Sequence, residues 1–241
     1  MESTIRVENV SKRFGKKEIL KEVSLDIPKG ELYGLIGPSG AGKTTLVKLI
    51  VGMERADRGS IQVLQTKMPN LGVLNKIGYM AQSDALYTEL TGWENLKFFA
   101  SLYKMTKAEQ KKRLEYVADL VNLTSSLGSK VGTYSGGMKR RLSLAISLVH
   151  NPDVLILDEP TVGMDPVLRV SIWKELIRLK EEEGKSIIVT THVMDEAEKC
   201  DTVAMVRDGY ILTSGSPADL KERYQVGRLD DVFLQVGGSE G

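Results

Sequence analysis

The chain has 241 residues, with 33 Lys and Arg against 32 Asp and Glu and a net charge of +1. That balance, with neither sign gathered into a long block, excludes a bulk electrostatic attraction to DNA or RNA, and the length is ample for a buried core. The single Cys200 excludes an internal disulfide and a cysteine metal set, and within the polar stretch Asp195 to Asp201 it reads as a small packing residue.

Met1 to Glu8 alternates apolar and charged side chains and lacks the uncharged core of a secretory signal, so the chain is expected inside the cell. No run approaches the roughly eighteen consecutive apolar residues of a membrane span, and any membrane role is expected to come through a partner. Ile5, Val7 and Val10, then Val23, Leu25 and Ile27 alternating with Ser24 and Asp26, predict a β-rich opening over residues 4–36, interrupted by the turn Pro28-Lys29-Gly30.

The apolar run Leu32 to Ile36 leads into Gly37-Pro38-Ser39-Gly40-Ala41-Gly42-Lys43-Thr44-Thr45, and then into the helix-like Leu46 to Val51. This is the strand, G-x-x-x-x-G-K-[ST], helix arrangement of a phosphate-binding loop rather than a glycine-rich turn without a ligand. Its glycines let successive backbone N–H groups converge, and the helix adds its positive end, so a polyphosphate is held mainly by main-chain donors. Lys43 then reaches the β- and γ-phosphates. Thr44, with Thr45 beside it, offers the hydroxyl oxygen that a phosphate-bound Mg²⁺ requires.

Strands are predicted at 60–64 and 76–81, after which the texture turns helical from about 91 to 122 and marks a subdomain. Thr91-x-x-Glu94 and Thr106-x-x-Glu109 match capping boxes and start two helices; in the second, Lys111, Lys112 and Arg113 read as a solvated face. Ser135-Gly136-Gly137 precedes an amphipathic helix beginning at Met138, with Ser135 in N-cap position, which makes a second anion-binding helix terminus.

From 152 onward β and α alternate: strand 154–158, helix 166–182, strand 186–191, helix 194–199, strand 202–206. That order implies an α/β fold with a mainly parallel sheet and helices on both faces. The buried-strand run Val154 to Leu157 ends in Asp158-Glu159, two acids at the strand end where open α/β sheets bind ligands. Because neighbouring strand residues point apart, Asp158 is assigned to the metal through water and Glu159 to polarising the attacking water. Taken alone, the pair could also cap the turn before Pro160. His192 follows the strand ending at Thr191 and so occupies a ligand position, whereas His150 has no assigned chemistry. Ser216-Pro217 starts a last helix, and Gly237 to Gly241 is expected to be disordered.

The combination resembles the nucleotide-binding subunit of ABC transporters over Ile5 to Phe233. Tyr134-Ser135-Gly136-Gly137-Met138 stands where that family has Leu-Ser-Gly-Gly-Gln, and Asp158-Glu159 ends its Walker B strand. The resemblance makes Phe14 the aromatic that stacks on adenine, although beside Arg13 and Gly15 a packing role is open. It makes Gln82 the glutamine that senses Mg²⁺ and the membrane partner, with the alternative of a polar residue closing a strand. Asp165 becomes the D-loop aspartate while remaining a ready helix cap before Pro166, and His192 becomes the switch histidine on the γ-phosphate.

The resemblance further implies a P-loop NTPase, RecA-like core with an N-terminal antiparallel β-subdomain and an inserted α-helical subdomain. The division is core at 1–82 and 151–224, helical subdomain at 83–150 and a C-terminal extension at 225–241. It implies a head-to-tail dimer, homodimeric or with a paired ABC subunit, with ATP between the phosphate loop of one copy and the Ser-Gly-Gly of the other. The partner is a separately encoded transmembrane permease that holds the chain on the cytoplasmic face of the membrane, with no nucleic acid expected. Two departures stand out: Met138 removes the signature amide, and Gly163-Met164 replaces Ala-Leu before Asp165. The Met138 replacement and Leu229 to Leu234 resemble the drug, antibiotic and lipid exporter branch. A soluble ABC-type factor acting on ribosomes or DNA is the alternative, although such relatives usually carry two cassettes or a long coiled coil. A nucleotide kinase or GTPase leaves Ser135 to Gly137 and His192 unexplained.

Overall fold

The computed structural model describes residues 3–238. Its strands, in chain order, are β1 (Ser3–Phe14), β2 (Lys17–Pro28), β3 (Leu32–Ile36), β4 (Arg58–Val63), β5 (Thr66–Lys67), β6 (Ile77–Met80), β7 (Val154–Asp158), β8 (Ser186–Thr191), β9 (Thr202–Arg207) and β10 (Tyr210–Gly215). The helices are α1 (Lys43–Ile50), α2 (Gly92–Ser101), α3 (Lys107–Leu120), α4 (Gly136–Leu148), α5 (Pro166–Glu183), α6 (Met194–Ala197), α7 (Pro217–Arg223) and α8 (Leu229–Gly237). They fall into two compact units, one built from residues up to Val73 together with those from Ser186 onward, the other from Leu74–Lys185.

In the first unit the alternation of β2 buries Leu20, Val23, Leu25 and Ile27, and the strand joins an antiparallel sheet in the order β2-β1-β4-β5. The β1-β2 hairpin closes where Phe14 pairs with Lys17, across a turn whose Gly15 has φ 60. β3 is buried on both sides along its whole length, as a continuous apolar run requires, and is flanked by β8 and β9 in parallel. β10 is a strand the sequence reading missed. It returns antiparallel on β9 through Asp208-Gly209, both at positive φ, the turn chemistry of a tight hairpin. The helix at Ser216-Pro217 forms as predicted, with Ser216 Oγ accepting from Asp219 N at 3.1 Å, but it is not the last. α8 follows it and buries Leu229 and Val232. Gly237, expected in a disordered tail, instead closes α8, and its carbonyl accepts from Arg207 Nη1 at 2.8 Å; 239–241 lie outside the described residues.

In the second unit β6 and β7 pair in parallel from Ile77↔Val154 to Met80↔Leu157. Both capping boxes are present. Thr91 Oγ1 accepts from Glu94 N at 3.1 Å, Thr106 Oγ1 accepts from Glu109 N at 3.2 Å, and each glutamate returns the bond to the threonine N–H. Those bonds favour the ionised carboxylates and hold both below the usual range. Lys111 and Lys112 are exposed as predicted, but Arg113 turns inward and donates to Leu148 O and Val149 O at 2.5 and 3.3 Å, satisfying carbonyls at the end of α4. The Tyr116 hydroxyl donates to Glu175, tying α3 to α5. Leu96, Leu114, Val117, Leu142, Ala145, Trp173 and Leu176 are fully or nearly fully buried, each large side chain contributing about 1.5–3 kcal/mol of transfer free energy.

Candidate active site

In the first unit, the chain leaves β3 at Gly37, where a Cβ would lie 2.0 Å from the carbonyl oxygen of Val206, so no other residue passes. The loop is exposed from Pro38 to Gly40 and closes on Gly42, whose φ of 109 favours glycine. As N-cap of α1, Gly42 supplies no side-chain acceptor, and no acid stands in the first turn, which suits the leading N–H groups to an external anion. Lys43 is only 5% exposed and its Nζ donates to Gly37 O at 2.6 Å and Pro38 O at 3.1 Å, placing the ammonium over the loop. Thr44 and Thr45 are half-buried on the same turn, after Ser39, Gly40 and Ala41 have completed the loop.

Sheet register brings His192 to this loop. Ile36 pairs with Thr191 in parallel, so Gly37 and His192 are the next residues off adjacent strand ends. Thr191 Oγ1 accepts from Val193 N at 3.0 Å and donates to Glu196 Oε2 at 2.8 Å, fixing the turn that carries the exposed imidazole. Phe14 sits at the hairpin tip, 48% exposed rather than packed into the core. Lys12 Nζ lies 5.0 Å from its ring centroid and is itself held by Arg55 O at 2.8 Å and the Glu54 carboxylate at 3.4 Å.

In the second unit β7 delivers Asp158 at its end with 1% exposure. The strand stops there. Glu159 has a left-handed φ of 53, so the two acids part at a backbone turn rather than by continued strand alternation. The turn is closed by Val162 N on Glu159 O at 3.4 Å and Met164 N on Thr161 O at 3.1 Å, neither using a carboxylate. Gln82 is exposed just past β6. Ser135 caps α4 as predicted, its hydroxyl accepting from Met138 N at 3.2 Å, and Asp165 caps α5 through Leu168 N at 2.9 Å. Gly136 and Gly137 open α4, and Gly137 approaches so closely that a Cβ there would lie 2.9 Å from Gly163 O.

Arg140, which sequence reasoning passed over, organises this region. It is 7% exposed, donating from Nη1 to Ala81 O at 2.6 Å and Gln82 O at 2.9 Å, and from Nη2 to Asp158 O and to Glu159 O at 2.8 Å. Burial draws the guanidinium below its ordinary range, opposed by Asp84, Asp158, Glu159 and Tyr79. Nearby, burial and then Asp158 push the Tyr79 phenol up to about 12, so it stays protonated. The missed signal is positional: Arg140 heads the i, i+4, i+8 row with Leu144 and Leu148, which is buried throughout.

Among the described residues no group of three or more His, Cys, Asp or Glu could hold a metal by itself. In the first unit Thr44 offers a hydroxyl oxygen, and in the second Asp158 offers a carboxylate and Gln82 an amide oxygen; each is the kind of hard donor that Mg²⁺ takes beside phosphate and water.

The chain is similar to known proteins in both sequence and fold. The sequence pattern of the family described as "ABC transporter" matches residues 20–162. The chain is 40% identical over 237 residues to the linearmycin resistance ATP-binding protein LnrL of Bacillus subtilis, covering 97% of this chain and 75% of that protein. It is 39% identical over 235 residues to ABC transporter G family member 23 of Dictyostelium discoideum, covering 96% of this chain but only 33% of that longer protein. A solved ATP-binding subunit of an ABC transporter superposes with a TM-score of 0.91 at 26% identity, over 98% of this chain and all of the other. A dimeric ATP-binding cassette in a post-hydrolysis state, bound to ADP and Pi, superposes with a TM-score of 0.82 at 28% identity over 88% of this chain and 98% of the other.

Proposed function

This chain belongs to the ABC transporter family, and from that membership we propose that it is the ATP-binding and ATP-hydrolysing subunit of a membrane exporter of drugs, antibiotics or lipids. The observation that carries the reading is the phosphate loop: a glycine-lined turn, an uncapped helix start and a buried Lys43 folded over it, with His192 delivered alongside by register. The relative named for linearmycin resistance supports export. No helix of the described residues is long and apolar enough to cross a membrane, which is in keeping with a separate permease that holds the chain on the cytoplasmic face. Within the fold we divide the chain as core 1–82 and 151–224, helical subdomain 83–150 and C-terminal extension 225–241.

Lys43 exchanges its carbonyl partners for β- and γ-phosphate oxygens, and the N–H groups leading α1 hold the same anion. Phe14 stacks its free face on adenine. Thr44 in the first unit, and Gln82 and, through water, Asp158 in the second, are the residues that would hold Mg²⁺, and the ion would neutralise charge on the phosphates. Glu159 takes the proton of the attacking water, and His192 contacts the γ-phosphate. Ser135, Gly136 and Gly137 present the α4 terminus, beside Asp165, to nucleotide held by a second cassette, either another copy or a paired subunit.

Glu159→Gln is expected to keep ATP affinity while lowering turnover about a hundredfold or more, the scale of losing a positioned base. Steady-state hydrolysis and nucleotide titration measure the two effects separately. Parental turnover in this variant rules out the base assignment.

A further inference from the structure

We propose that Arg140 is the positioning residue for Glu159 and Gln82: its guanidinium, carried on α4, clamps the backbone at the ends of β6 and β7 and so sets where the catalytic base and the sensor glutamine stand. The inference rests on the reading of Glu159 as the base.

Four carbonyls from two strand ends, Ala81 and Gln82 after β6 and Asp158 and Glu159 after β7, converge on one side chain. Their partial negative charges surround a cation that is almost wholly removed from water, and only a planar fork serves both strand ends at once. A buried charge without such partners would be strongly unfavourable, so the four bonds and the burial belong together. The Asp84 carboxylate lies 3.9 Å from Nη1, farther than the carbonyl oxygens that the guanidinium engages.

The clamp acts where the backbone needs holding. Glu159 is a non-glycine residue at φ 53, a conformation that persists only when its surroundings enforce it, and its carbonyl is one of those Arg140 takes. Releasing that carbonyl frees the peptide to relax toward ordinary φ and swings the carboxylate away. The same guanidinium fixes the carbonyl of Gln82, so base and sensor move with α4, whose first turn is the Ser135-Gly136-Gly137 terminus. Arg140 touches neither phosphate nor water in this scheme; it acts through the two residues it holds.

Arg140→Met and Arg140→Lys in the full chain test this. The loop that binds ATP is not held by Arg140, so nucleotide affinity and KM should stay within about threefold of parental while kcat falls about ten- to a hundredfold, the scale of a catalytic group displaced by an ångström. Arg140→Lys keeps the buried charge and hence the fold, but its donors radiate from one atom and cannot fork between two strand ends. Its melting midpoint should stay near parental with kcat still lowered. In a Glu159→Gln, Gln82→Ala background, adding either Arg140 change should leave the residual single-turnover rate within about twofold, because groups already absent cannot be misplaced. Parental kcat in a folded Arg140 variant, or a further tenfold loss in that background, overturns the inference while leaving Glu159 as the base. Parental turnover by Glu159→Gln alone instead removes the base reading, and the inference falls with it.

Discussion

His150 stacks face to face on Tyr103, ring centroids 3.8 Å apart and planes within 1°, and its Nε2 lies 3.2 Å from Ile77 O. A carbonyl only accepts, so Nε2 carries the proton and the buried Nδ1, which has no hydrogen-bond partner among the described residues, is a bare lone pair. Protonating Nδ1 would place an unsatisfied donor in a desolvated site near Arg113 and Lys185. Burial first, then those two cations, therefore push the imidazole down to about 4 from 6.5, against the pull of the Ile77 bond. Between those values the unfolded chain binds the proton and the folded chain does not, so stability is complete above pH about 6.5 and is lost as pH falls toward about 4. After discounting for partial solvent access, the loss from this group between pH 7 and pH 5 should be about 1 kcal/mol. His150→Phe keeps the stack and removes the titration. Urea unfolding at the two pH values should show parent losing more than variant; equal losses would discard the assignment. Nothing in the sequence pointed to this residue, because its burial is made by a tertiary stack.

At the scale of elements, α4 is held at three levels: Ser135 caps its start, Arg140 pins its second turn, and Arg113 satisfies carbonyls at its end. Its two leading glycines differ in a way that separates folding from function. A Cβ on Gly136 meets nothing within 4 Å, whereas one on Gly137 meets Gly163 O at 2.9 Å, in a loop where Gly163 has φ 77. Gly136→Ala should therefore melt at or slightly above the parental midpoint, gaining up to about 1 kcal/mol of helix propensity, while Gly137→Ala melts lower. Thermal unfolding checks this, and equal destabilisation by both contradicts it. Loss of hydrolysis in well-folded Gly136→Ala would place the defect on the surface that α4 presents outward. Elements with a local signature were legible in the sequence: the capping boxes at Thr91 and Thr106, the Asp165-Pro166 start of α5, and the apolar run of β7. β10 was missed although Asp208-Gly209 signals its turn, because Tyr210 to Gly215 is only partly buried and alternates weakly. α8 was missed as a helix since Arg228 gives it no side-chain cap, and its hold on the fold comes from Leu229, Val232 and the distant Arg207. The proposed site residues stand in motifs that the sequence displays, whereas Arg140 does not stand out there, because its partners are carbonyls contributed by strands distant in sequence.

For the whole molecule, the sharpest consequence of the proposed mechanism is that one chain would carry two half-sites of different kinds. Lys43 belongs to the first unit, while Ser135 caps a helix of the second with its hydroxyl committed to Met138 N. A solved relative of the same fold is a dimeric cassette in a post-hydrolysis state. If nucleotide on the loop of one copy is completed by the Ser-Gly-Gly of another, hydrolysis should rise more steeply than linearly with protein concentration while the dimer is weak. Two inactive variants then complement each other. Lys43→Ala destroys the loop and spares the helix terminus; Ser135→Arg removes the cap and fills the terminus but spares the loop. In a mixed dimer one site joins two intact halves and the other joins both lesions. With free exchange at equal amounts, half of all dimers are mixed and each has one good site of two, so up to about a quarter of parental activity should return if a single site turns over alone. Glu159→Gln loaded with ATP should elute as a dimer and report association without turnover. Should it stay monomeric at high concentration while the mixed variants stay inactive, the composite site is lost for this chain and Ser135 is a helix cap alone.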